Sequence, residues 1–373
     1  MKYYIIAGEA SGDLHGSNLM KALLKQDSNA DIRFWGGDLM QSAGGTLVTH
    51  YKERQFMGFA EVIFNLRKIL GLIKFCKKDI DSFKPDAIIF IDNSGFNLRI
   101  AKWAKANGFR THYYILPQVW ASRASRVEKI KRDVDALYCT LPFEQAFYKK
   151  YDVDVNFVGH PLIDAIADRP QVHENEFRKE HGLSNKPIIA LLPGSRKQEI
   201  TKMLSVMLSM VDDFEDYQFV IAGAPSQDFS FYQTFIKQYK VNYIANKTYD
   251  LLSISNAALV TSGTATLETA LFKVPQVVCY KANAISYQIA KRIITLKYIS
   301  LVNLIMDREV VTELIQGDVN NKRLKKELSS ILDSDKREHL YLDYYELEQK
   351  LGGRGASENT AELIVSKISN NKH

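Results

Sequence analysis

Short runs of apolar residues alternate with turn-forming residues and amphipathic stretches along most of the chain. Apolar runs of about five residues, without internal alternation, are typical of parallel strands that are buried on both faces. In the first half they occupy residues 3–7, 32–35, 87–91, 111–115, 136–139 and 156–158. In the second half they occupy residues 188–192, 218–222, 242–244, 257–260 and 276–279. Because helical patterns separate these runs, the sequence predicts βαβ units and parallel sheets.

One interruption of this alternation divides the chain. Residues 171–186 are mostly polar and contain a single short helical pattern, so we predict the inter-domain linker there. The predicted fold class is α/β, with two Rossmann-like, doubly wound domains facing each other across a cleft. We assign them to residues 1–168 and 169–345, and assign residues 346–373 to a C-terminal helical segment. Its last helix follows a Gly-rich turn and either packs back on the first domain or forms an ordinary tail.

Composition narrows the class of protein. The 373 residues exceed one ordinary core, and the net charge of +6 favours an anionic partner without implying nucleic acid. Cys76, Cys139 and Cys279 are far apart and lack metal-ligand spacing, which favours a reducing cytoplasm without a disulfide framework or bound metal. No segment reaches the roughly 18 uncharged apolar residues of a membrane span. We therefore expect a cytoplasmic protein that is soluble or peripheral to a membrane.

Two similar strand-to-helix turns lie in opposite halves of the chain. They read GEASGD at residues 8–13 and SGTATLE at residues 262–268. Each follows an apolar strand, and the N–H groups and positive dipole end of the following helix suit an anion. Glu9 and Glu268 are placed to accept hydrogen bonds from a sugar. Either turn alone also fits an ordinary connection, but the pair suggests two substrates.

Two further positions follow predicted strands directly. Asp92 comes after the run at residues 87–91, at the carboxyl end of a strand, where open α/β sheets place their ligands. A carboxylate there can act as a general base, although an Asp that caps the next helix is equally compatible with the local sequence. Arg196, in the loop after the run at 188–192, can pair with a diphosphate. The Walker and GxGxxG patterns are absent, which argues against ATPase and dinucleotide-binding functions.

The stretch at residues 56–75 contains more apolar residues than one core-facing helical stripe needs. Cations flank it, including Arg67, Lys68 and Lys74. Such a stretch suits an element that enters an anionic membrane surface or receives acyl chains, although two buried helices also fit. We assign membrane or acyl-chain contact to Phe59, Ile63, Phe64, Leu66, Ile69, Leu70 and Ile73.

Eight short blocks, in their order along the chain, resemble the lipid-A-disaccharide synthase family. The match covers most of the chain, and the ordered set is far more specific than any single block. The blocks are GEASGD at 8–13, FID at 90–92 with FN at 96–97, PQVWA at 117–121, LPFE at 141–144, GHP at 159–161, LLPGSR at 191–196, SGTATLE at 262–268 and LVNL at 301–304.

The resemblance implies a GT-B glycosyltransferase that needs no cofactor. It implies transfer of 2,3-diacylglucosamine from its UDP-linked donor to the 6-hydroxyl of 2,3-diacylglucosamine 1-phosphate, with inversion and with Asp92 as base. The products would be UDP and the β-1,6-linked lipid A disaccharide precursor. Positions near the donor's UDP would be Arg196, Thr264, Ala265, Thr266, Glu268 and Asn303. The acceptor or cleft loop would comprise Glu9, Ser11, Gly12 and Asp13.

The same resemblance implies peripheral contact with the anionic inner membrane and leaves a homodimer and the role of His160 open. Two departures matter: Asn93-Ser94-Gly95 carry no second carboxylate beside Asp92, and Ser122 stands where many relatives have Trp. Alternative functions are another GT-B enzyme acting on a UDP-sugar, such as an epimerase or a peptidoglycan-precursor transferase, or a non-catalytic lipid-binding scaffold.

Overall fold

The computed structural model describes residues 1–54, 66–122, 124–283 and 296–370. The chain divides into two compact units. The first unit comprises Met1–Ala165 together with Leu351–His373, and the second comprises Ile166–Lys350. Our predicted divisions, after residues 168 and 345, lie within five residues of these boundaries.

A parallel sheet forms the centre of the first unit, with strand order β3-β2-β1-β4-β5-β6-β7. Six of these strands overlap the apolar runs predicted as strands, whereas β3 was not predicted. It is an edge strand whose residues are mostly half-buried or exposed, so it lacks the apolar run of a central strand. The strands are β1 (Lys2–Ala7), β2 (Asp31–Gly36), β3 (Thr46–His50), β4 (Ala87–Ile91), β5 (Thr111–Tyr114), β6 (Ala136–Cys139) and β7 (Asn156–Phe157).

Helices cover both faces of this sheet, which explains why its strands are apolar on both sides. One face buries Ile6, Phe90 and Tyr113, and the other buries Ile5 and Ile89. The helices are α1 (Ala10–Gln26), α2 (Asp38–Ala43), α3 (Leu66–Phe83), α4 (Ser94–Ala106), α5 (Val119–Ser122), α6 (Val127–Asp133), α7 (Phe143–Lys149) and α8 (Pro161–Ala167), with 3₁₀ turns at Tyr51–Arg54 and Ala124–Arg126.

The second unit repeats the design around a parallel sheet of order β10-β9-β8-β11-β12-β13. Its last strand, β13, was not predicted because it is short and interrupted by a Glu. The strands are β8 (Ile188–Leu192), β9 (Gln218–Gly223), β10 (Val241–Ala245), β11 (Ala257–Thr261), β12 (Gln276–Tyr280) and β13 (Thr312–Ile315). The two parallel sheets with interleaved helices confirm the predicted α/β, doubly wound class.

The helices of the second unit follow its strands in the alternating manner of βαβ units. They are α9 (Glu174–Glu180), α10 (Lys197–Leu208), α11 (Phe229–Ile236), α12 (Thr248–Ser253), α13 (Thr264–Leu271), α14 (Leu301–Met306), α15 (Asn321–Leu332) and α16 (Ser334–Lys350), with 3₁₀ turns at Val211–Asp213 and Gln316–Asp318. Within the described ranges, no helix combines the length and apolar character needed to cross a membrane.

The predicted linker at residues 171–186 is wrong, because this stretch is part of the second unit. Phe177 on α9 and Leu183 after it are buried in that unit's core. Arg178 is also buried, and its guanidinium donates hydrogen bonds to the Glu174 carboxylate and to backbone carbonyls of the following turn. Two apolar anchors and one satisfied cation are enough to dock a segment whose overall composition is polar.

The C-terminal chain leaves the second unit after α16 and returns to the first, which is one of the two arrangements that the sequence left open for the last helix. Gly352, Gly353 and Gly355 have φ values of +89°, +67° and +102°, a left-handed conformation that favours glycine and permits the sharp turn. The following helix, α17 (Ala356–Ser369), packs against α1. Its Ile364 and Ile368 are buried in the core of the first unit.

Candidate active site

Two predicted motifs of the first unit lie side by side at the carboxyl end of its sheet. Strands β1 and β4 are hydrogen-bonded neighbours, and the strand order reverses between them. The loop beginning at Gly8 follows β1, and Asp92 follows β4. The two loops touch: a Cβ on Gly8 would lie 2.0 Å from Nδ2 of Asn93, so any larger residue there would force Asn93 to move. Such a switch point is the ordinary ligand site of open α/β sheets.

The backbone around Asp92 is strained and held by buried polar groups. Asp92 and Asn93 both have φ near +43°, which costs roughly 1–2 kcal/mol for each non-glycine residue. The side-chain amide of Asn97, which is fully buried, donates hydrogen bonds to the carbonyls of Ile91 at 3.1 Å and Asp92 at 2.8 Å. The hydroxyl of Tyr113, on β5, donates to the Asp92 carbonyl at 2.5 Å. These bonds hold the carbonyl groups on either side of the strained residue and act against the cost of its backbone conformation.

The carboxylate of Asp92 is an unusually strong base for an aspartate. Partial removal from water and the negative charge of Glu9 raise the pKa of Asp92 to about 6, although a hydrogen bond from the Asn93 backbone acts to lower it. The residue keeps contact with solvent, so water screens part of the charge interaction. At neutral pH the group remains mostly ionised, yet it binds a proton more tightly than an ordinary aspartate, as a general base requires.

Residues 9–13, where the loop after β1 leads into α1, divide by burial. Glu9 and Ser11 are exposed, whereas Gly12 and Asp13 are buried. The Asp13 carboxylate accepts hydrogen bonds from the backbone N–H groups of Gly37 at 2.7 Å, Leu39 at 3.1 Å and Met40 at 3.0 Å. Gly12 and Asp13, predicted on the cleft loop, thus lie in the first turn of α1, and the Asp13 carboxylate holds the start of α2.

Gly12 is buried for a packing reason. A Cβ at this position would lie 3.2 Å from Cβ of Ala7 and 3.8 Å from Cγ2 of Ile91. The first contact is tighter than ordinary van der Waals distance, so glycine lets α1 approach the ends of β1 and β4 closely. Gly12 thus shapes the loop without offering a side chain to a ligand.

A buried carboxylate at the same edge of the sheet was not singled out from the sequence. Glu144, only 1% exposed, accepts hydrogen bonds from the backbone N–H groups of Thr140 and Leu141 and from the indole of Trp120 at 3.2 Å. Burial raises the pKa of Glu144 to about 7, against the lowering effect of these bonds. In the sequence, only its position in the LPFE block at residues 141–144 could have indicated a role for Glu144. Its hydrogen bond to the indole fixes Trp120 near the carboxyl ends of β5 and β6.

His160 occupies a junction of the first unit. Its backbone N–H donates to the Leu351 carbonyl at 2.9 Å, where the C-terminal chain returns, and its ring Nδ1 accepts from the backbone N–H of Leu162 at 3.3 Å. Burial, with a smaller effect of His15, lowers the pKa of His160 to about 3. The ring is therefore neutral at physiological pH, and its contacts join two segments of the chain.

The second unit has the same arrangement at its own switch point. Strands β8 and β11 are neighbours, and the loop Pro193-Gly194-Ser195-Arg196 follows one while Ser262-Gly263-Thr264 follows the other. The first of these loops lies close to the end of β11, since a Cβ on Gly194 would be 3.6 Å from Cγ2 of Thr261. The Arg196 side chain is 82% exposed, and one of its guanidinium nitrogens lies 3.3 Å from Glu199.

The start of α13 presents polar groups to solvent. Gly263 has a φ of +141° and precedes Thr264, which is exposed, and Ala265, which is partly exposed. First-turn N–H groups of a helix lack intrahelical partners, and they carry the positive end of its dipole. With the Arg196 loop alongside, this arrangement suits the charge of a diphosphate.

Glu268 lies one turn further along α13. Its Oε1 accepts a hydrogen bond from the Tyr249 hydroxyl at 2.7 Å, and burial raises the pKa of Glu268. The ring of Tyr249 packs against Phe272, 5.3 Å away between centroids. Tyr249 was not predicted from the sequence as a site residue. Its hydroxyl holds one oxygen of the Glu268 carboxylate and leaves the other available.

Two side chains implied near UDP face inward instead. Thr266 is buried, and its hydroxyl donates to the Gly263 carbonyl at 2.8 Å. Asn303 is buried and fully bonded: its amide donates to the Val311 carbonyl and to Glu313, and its oxygen accepts from the N–H groups of Val310 and Val311. The hydrogen bonds of both side chains are thus made inside the unit, and their place near UDP stays a prediction.

Part of the predicted membrane-contact set lies in α3. Leu70 is 55% exposed, Ile69 packs partly against the core, and Ile73 is only 8% exposed. Membrane contact by Ile73 is thus incorrect, because helical periodicity turns it toward the sheet. Phe59, Ile63 and Phe64 lie outside the described residues, as does the side chain of Leu66. Over the described ranges, no three His, Cys, Asp or Glu side chains cluster as a metal site would require.

Comparison with known proteins agrees over nearly the whole chain. A model of the family described as Lipid-A-disaccharide synthetase matches residues 3–368. A lipid-A-disaccharide synthase from Syntrophus aciditrophicus (strain SB) is 40% identical over 375 residues, covering 98% of this chain and 97% of the relative. One from Geobacter metallireducens is 35% identical over 372 residues, covering 98% of this chain and 96% of the relative.

Solved structures share the fold at low sequence identity. The UDP-GlcNAc 2-epimerase from Neisseria meningitidis bound to UDP-GlcNAc has a TM-score of 0.67 and 12% identity, covering 99% of this chain and 100% of that one. The glycotransferase of kitacinnamycin has a TM-score of 0.65 and 13% identity, covering 98% and 99%. These likenesses support the fold, and the sequence relatives supply the family. The chain belongs to the lipid-A-disaccharide synthase family and is a glycosyltransferase with the GT-B fold.

Proposed function

We propose that this glycosyltransferase moves 2,3-diacylglucosamine from its UDP-linked donor to the 6-hydroxyl of 2,3-diacylglucosamine 1-phosphate, with inversion at the anomeric carbon. The observation that carries the mechanism is the place of Asp92, directly after β4 at the switch point of the first sheet, and a pKa raised to about 6 supports this role. A base of this strength is ionised at neutral pH and still able to take a proton from a hydroxyl during attack.

The reaction is a single displacement. The 6-hydroxyl oxygen attacks the anomeric carbon, the bond from that carbon to the UDP oxygen breaks, and the hydroxyl proton passes to the Asp92 carboxylate. Because attack and departure occur on opposite faces of one carbon, an α-linked donor gives a β-linked product. One base is sufficient for this chemistry, which agrees with Asn93-Ser94-Gly95 offering no second carboxylate.

Donor binding is assigned to the second unit. The exposed Arg196 and the N-terminal turn of α13 at Thr264 and Ala265 are suited to the diphosphate, and they stabilise the charge that develops on UDP as it leaves. Glu268, with one oxygen held by Tyr249, accepts hydrogen bonds from sugar hydroxyls with its other oxygen. Glu9 and Ser11, exposed near Asp92, are assigned to the acceptor sugar.

Both proposed substrates carry acyl chains and are therefore held in a membrane. The exposed face of α3 is suited to binding that membrane. Leu70 and Phe75 are exposed there, at 55% and 47%, beside the exposed cations Arg67, Lys74 and Lys78. An apolar strip flanked by cations suits peripheral binding to an anionic membrane surface. We assign this face to the inner membrane, where it keeps the enzyme next to lipid-linked substrates.

An assay of UDP release tests the substrates. We expect release from UDP-2,3-diacylglucosamine only when 2,3-diacylglucosamine 1-phosphate is also present. UDP-N-acetylglucosamine alone serves as the comparison, because a 2-epimerase converts it without an acceptor. Conversion of UDP-N-acetylglucosamine alone, or acceptor-independent release, would contradict the proposal.

A lipid-binding scaffold without turnover is separated by one more measurement. UDP raises the melting temperature of any protein that binds it in the native state. Stabilisation by UDP together with acceptor-dependent release supports the transferase. Stabilisation without release for any of these substrates would favour the scaffold.

A further inference from the structure

The Asp92 carbonyl receives hydrogen bonds from two different elements of the first unit. The Asn97 amide reaches it from α4 at 2.8 Å, and the Tyr113 hydroxyl reaches it from β5, the neighbouring strand. Asp92 has a left-handed backbone, so the orientation of this peptide determines where its side chain projects. The groups that hold the Asp92 carbonyl therefore also influence the direction of the Asp92 carboxylate.

Asn97 alone is an incomplete clamp. Its amide nitrogen lies within 3.4 Å of three carbonyl oxygens, those of Ile6, Ile91 and Asp92, but an amide has only two hydrogens to donate. At least one of these three contacts therefore lacks its own hydrogen. Tyr113 supplies a separate donor to the Asp92 carbonyl, which makes it the natural complement of Asn97.

Tyr113 is itself well fixed. The residue is fully buried, and its ring packs against Phe90 of β4 with centroids 5.7 Å apart. The sheet pairs it with Phe90 in register, so the hydroxyl emerges beside the end of β4, where Asp92 begins the loop. A rigid ring that presents one donor at one point is suited to positioning and has no access to substrate.

We propose that Tyr113 is a positioning residue for catalysis, whose hydroxyl fixes the left-handed peptide from which the Asp92 carboxylate projects. The inference rests on the proposed role of Asp92 as base. It predicts that the hydroxyl affects turnover without affecting donor binding, which is assigned to the second unit. A purely structural buried tyrosine would instead affect stability alone.

The test is Tyr113→Phe, which keeps the ring and removes only the donor. We expect kcat to fall about tenfold or more, since small misplacements of a catalytic group can cost up to about 100-fold, while KM for the UDP donor stays within twofold. The acid limb of the kcat–pH profile should also move to lower pH. A carboxylate released from its position moves away from Glu9 and toward water, which lowers its pKa.

The matched control is Tyr114→Phe, the next residue of β5. Tyr114 is equally buried but belongs to the cluster on the opposite face of the sheet, and only its backbone carbonyl, which the substitution keeps, bonds to Asp92. We expect its kcat and pH profile to match those of the wild type. Equal losses of kcat in both variants, or an unchanged kcat in Tyr113→Phe, would overturn the inference.

Asn97→Ser provides a second variant if Tyr113→Phe does not fold, as judged by melting temperature. This change replaces the Asn97 amide, the other hydrogen-bond donor to the Asp92 carbonyl, with a shorter side chain. We expect the same fall of kcat, with an unchanged KM for the UDP-linked substrate. An unchanged kcat there would show that loss of a hydrogen bond to the Asp92 carbonyl does not affect turnover, which would overturn the positioning role of Tyr113 as well. Asp92→Asn separates the two levels of the argument: full turnover in that variant removes the proposed base, whereas its inactivity together with normal Tyr113→Phe removes only the positioning role.

Discussion

At the scale of single residues, the proposed base combines ionisation at neutral pH with a raised proton affinity. Desolvation raises the pKa of Asp92 toward 6, and the charge of Glu9 acts in the same direction. Both effects disfavour the ionised form, and the carboxylate is the form that accepts a proton. A raised pKa therefore lowers the ionised fraction of Asp92 and makes its carboxylate a stronger base. General bases in enzymes commonly combine these two effects.

This balance predicts a pH profile. Because the protonated form of Asp92 is inactive and its pKa is about 6, kcat should fall as the pH drops through about 6 and level off above it. Glu9→Gln removes the like charge, so the acid limb should move to lower pH. Glu362→Gln, an exposed carboxylate on α17, is the control and should leave the profile unchanged. A profile that is flat from pH 5 to 8 would contradict the assignment.

Burial decides which motif residues reach a ligand, and the sequence does not report burial directly. Thr264 and Thr266 belong to the same block, yet one is exposed at the start of α13 and the other is buried. Asp92 could be predicted because it directly follows an apolar strand. Tyr113 and Tyr249 could not, because they act on residues 21 and 19 positions away through tertiary contacts.

At the scale of elements, Asp13 is expected to stabilise α2. It is buried and bonds three backbone N–H groups, so Asp13→Ala leaves these donors unsatisfied and should lower the free energy of unfolding by about 3 kcal/mol. Asp38→Ala, an exposed change at the start of the same helix, should have little effect.

The three tryptophans, Trp35, Trp103 and Trp120, all lie in the first unit, so their fluorescence during urea unfolding follows that unit. Equal stability of Asp13→Ala and the wild type by this measurement would show that the carboxylate is available for another role.

The exposed face of α3 is expected to carry membrane binding. Leu70→Glu combined with Lys74→Glu replaces one apolar and one cationic side chain, one turn apart, and should reduce recovery with anionic lipid vesicles in flotation. The control places the same changes on the exposed Leu342 and Lys336 of α16 in the second unit. Equal recovery of the two double variants would remove α3 as the contact.

Elements were predictable where one pattern dominated. Central strands such as β4 and β8 are apolar on both faces and fall within the predicted runs. The edge strands β3 and β13 pair on one side only, so their mixed polarity gave no such run. The segment at residues 171–186 was predicted as a linker because its composition is polar on average. Two of its apolar side chains, Phe177 and Leu183, are nevertheless buried and dock it on the second unit.

At the scale of the whole molecule, the C-terminal helix belongs to the first unit although the preceding helix belongs to the second. Ile364→Ala should therefore destabilise the first unit by about 3 kcal/mol, through lost burial and the cavity that remains. Tryptophan fluorescence should report an earlier transition, while UDP binding, assigned to the second unit, persists.

Leu342→Ala is the control for this change, because that side chain on α16 is 68% exposed. It should leave the tryptophan transition in place. If Ile364→Ala did the same, α17 would contribute nothing to the stability of the first unit.

The central claim is that Asp92 is the base of an acceptor-dependent sugar transfer. The most direct measurement is UDP release from UDP-2,3-diacylglucosamine, with and without 2,3-diacylglucosamine 1-phosphate, for the wild type and Asp92→Asn. We expect acceptor-dependent release in the wild type, a loss of at least about 100-fold in the variant, and equal stabilisation of both by UDP. Near-normal release by Asp92→Asn would contradict the account.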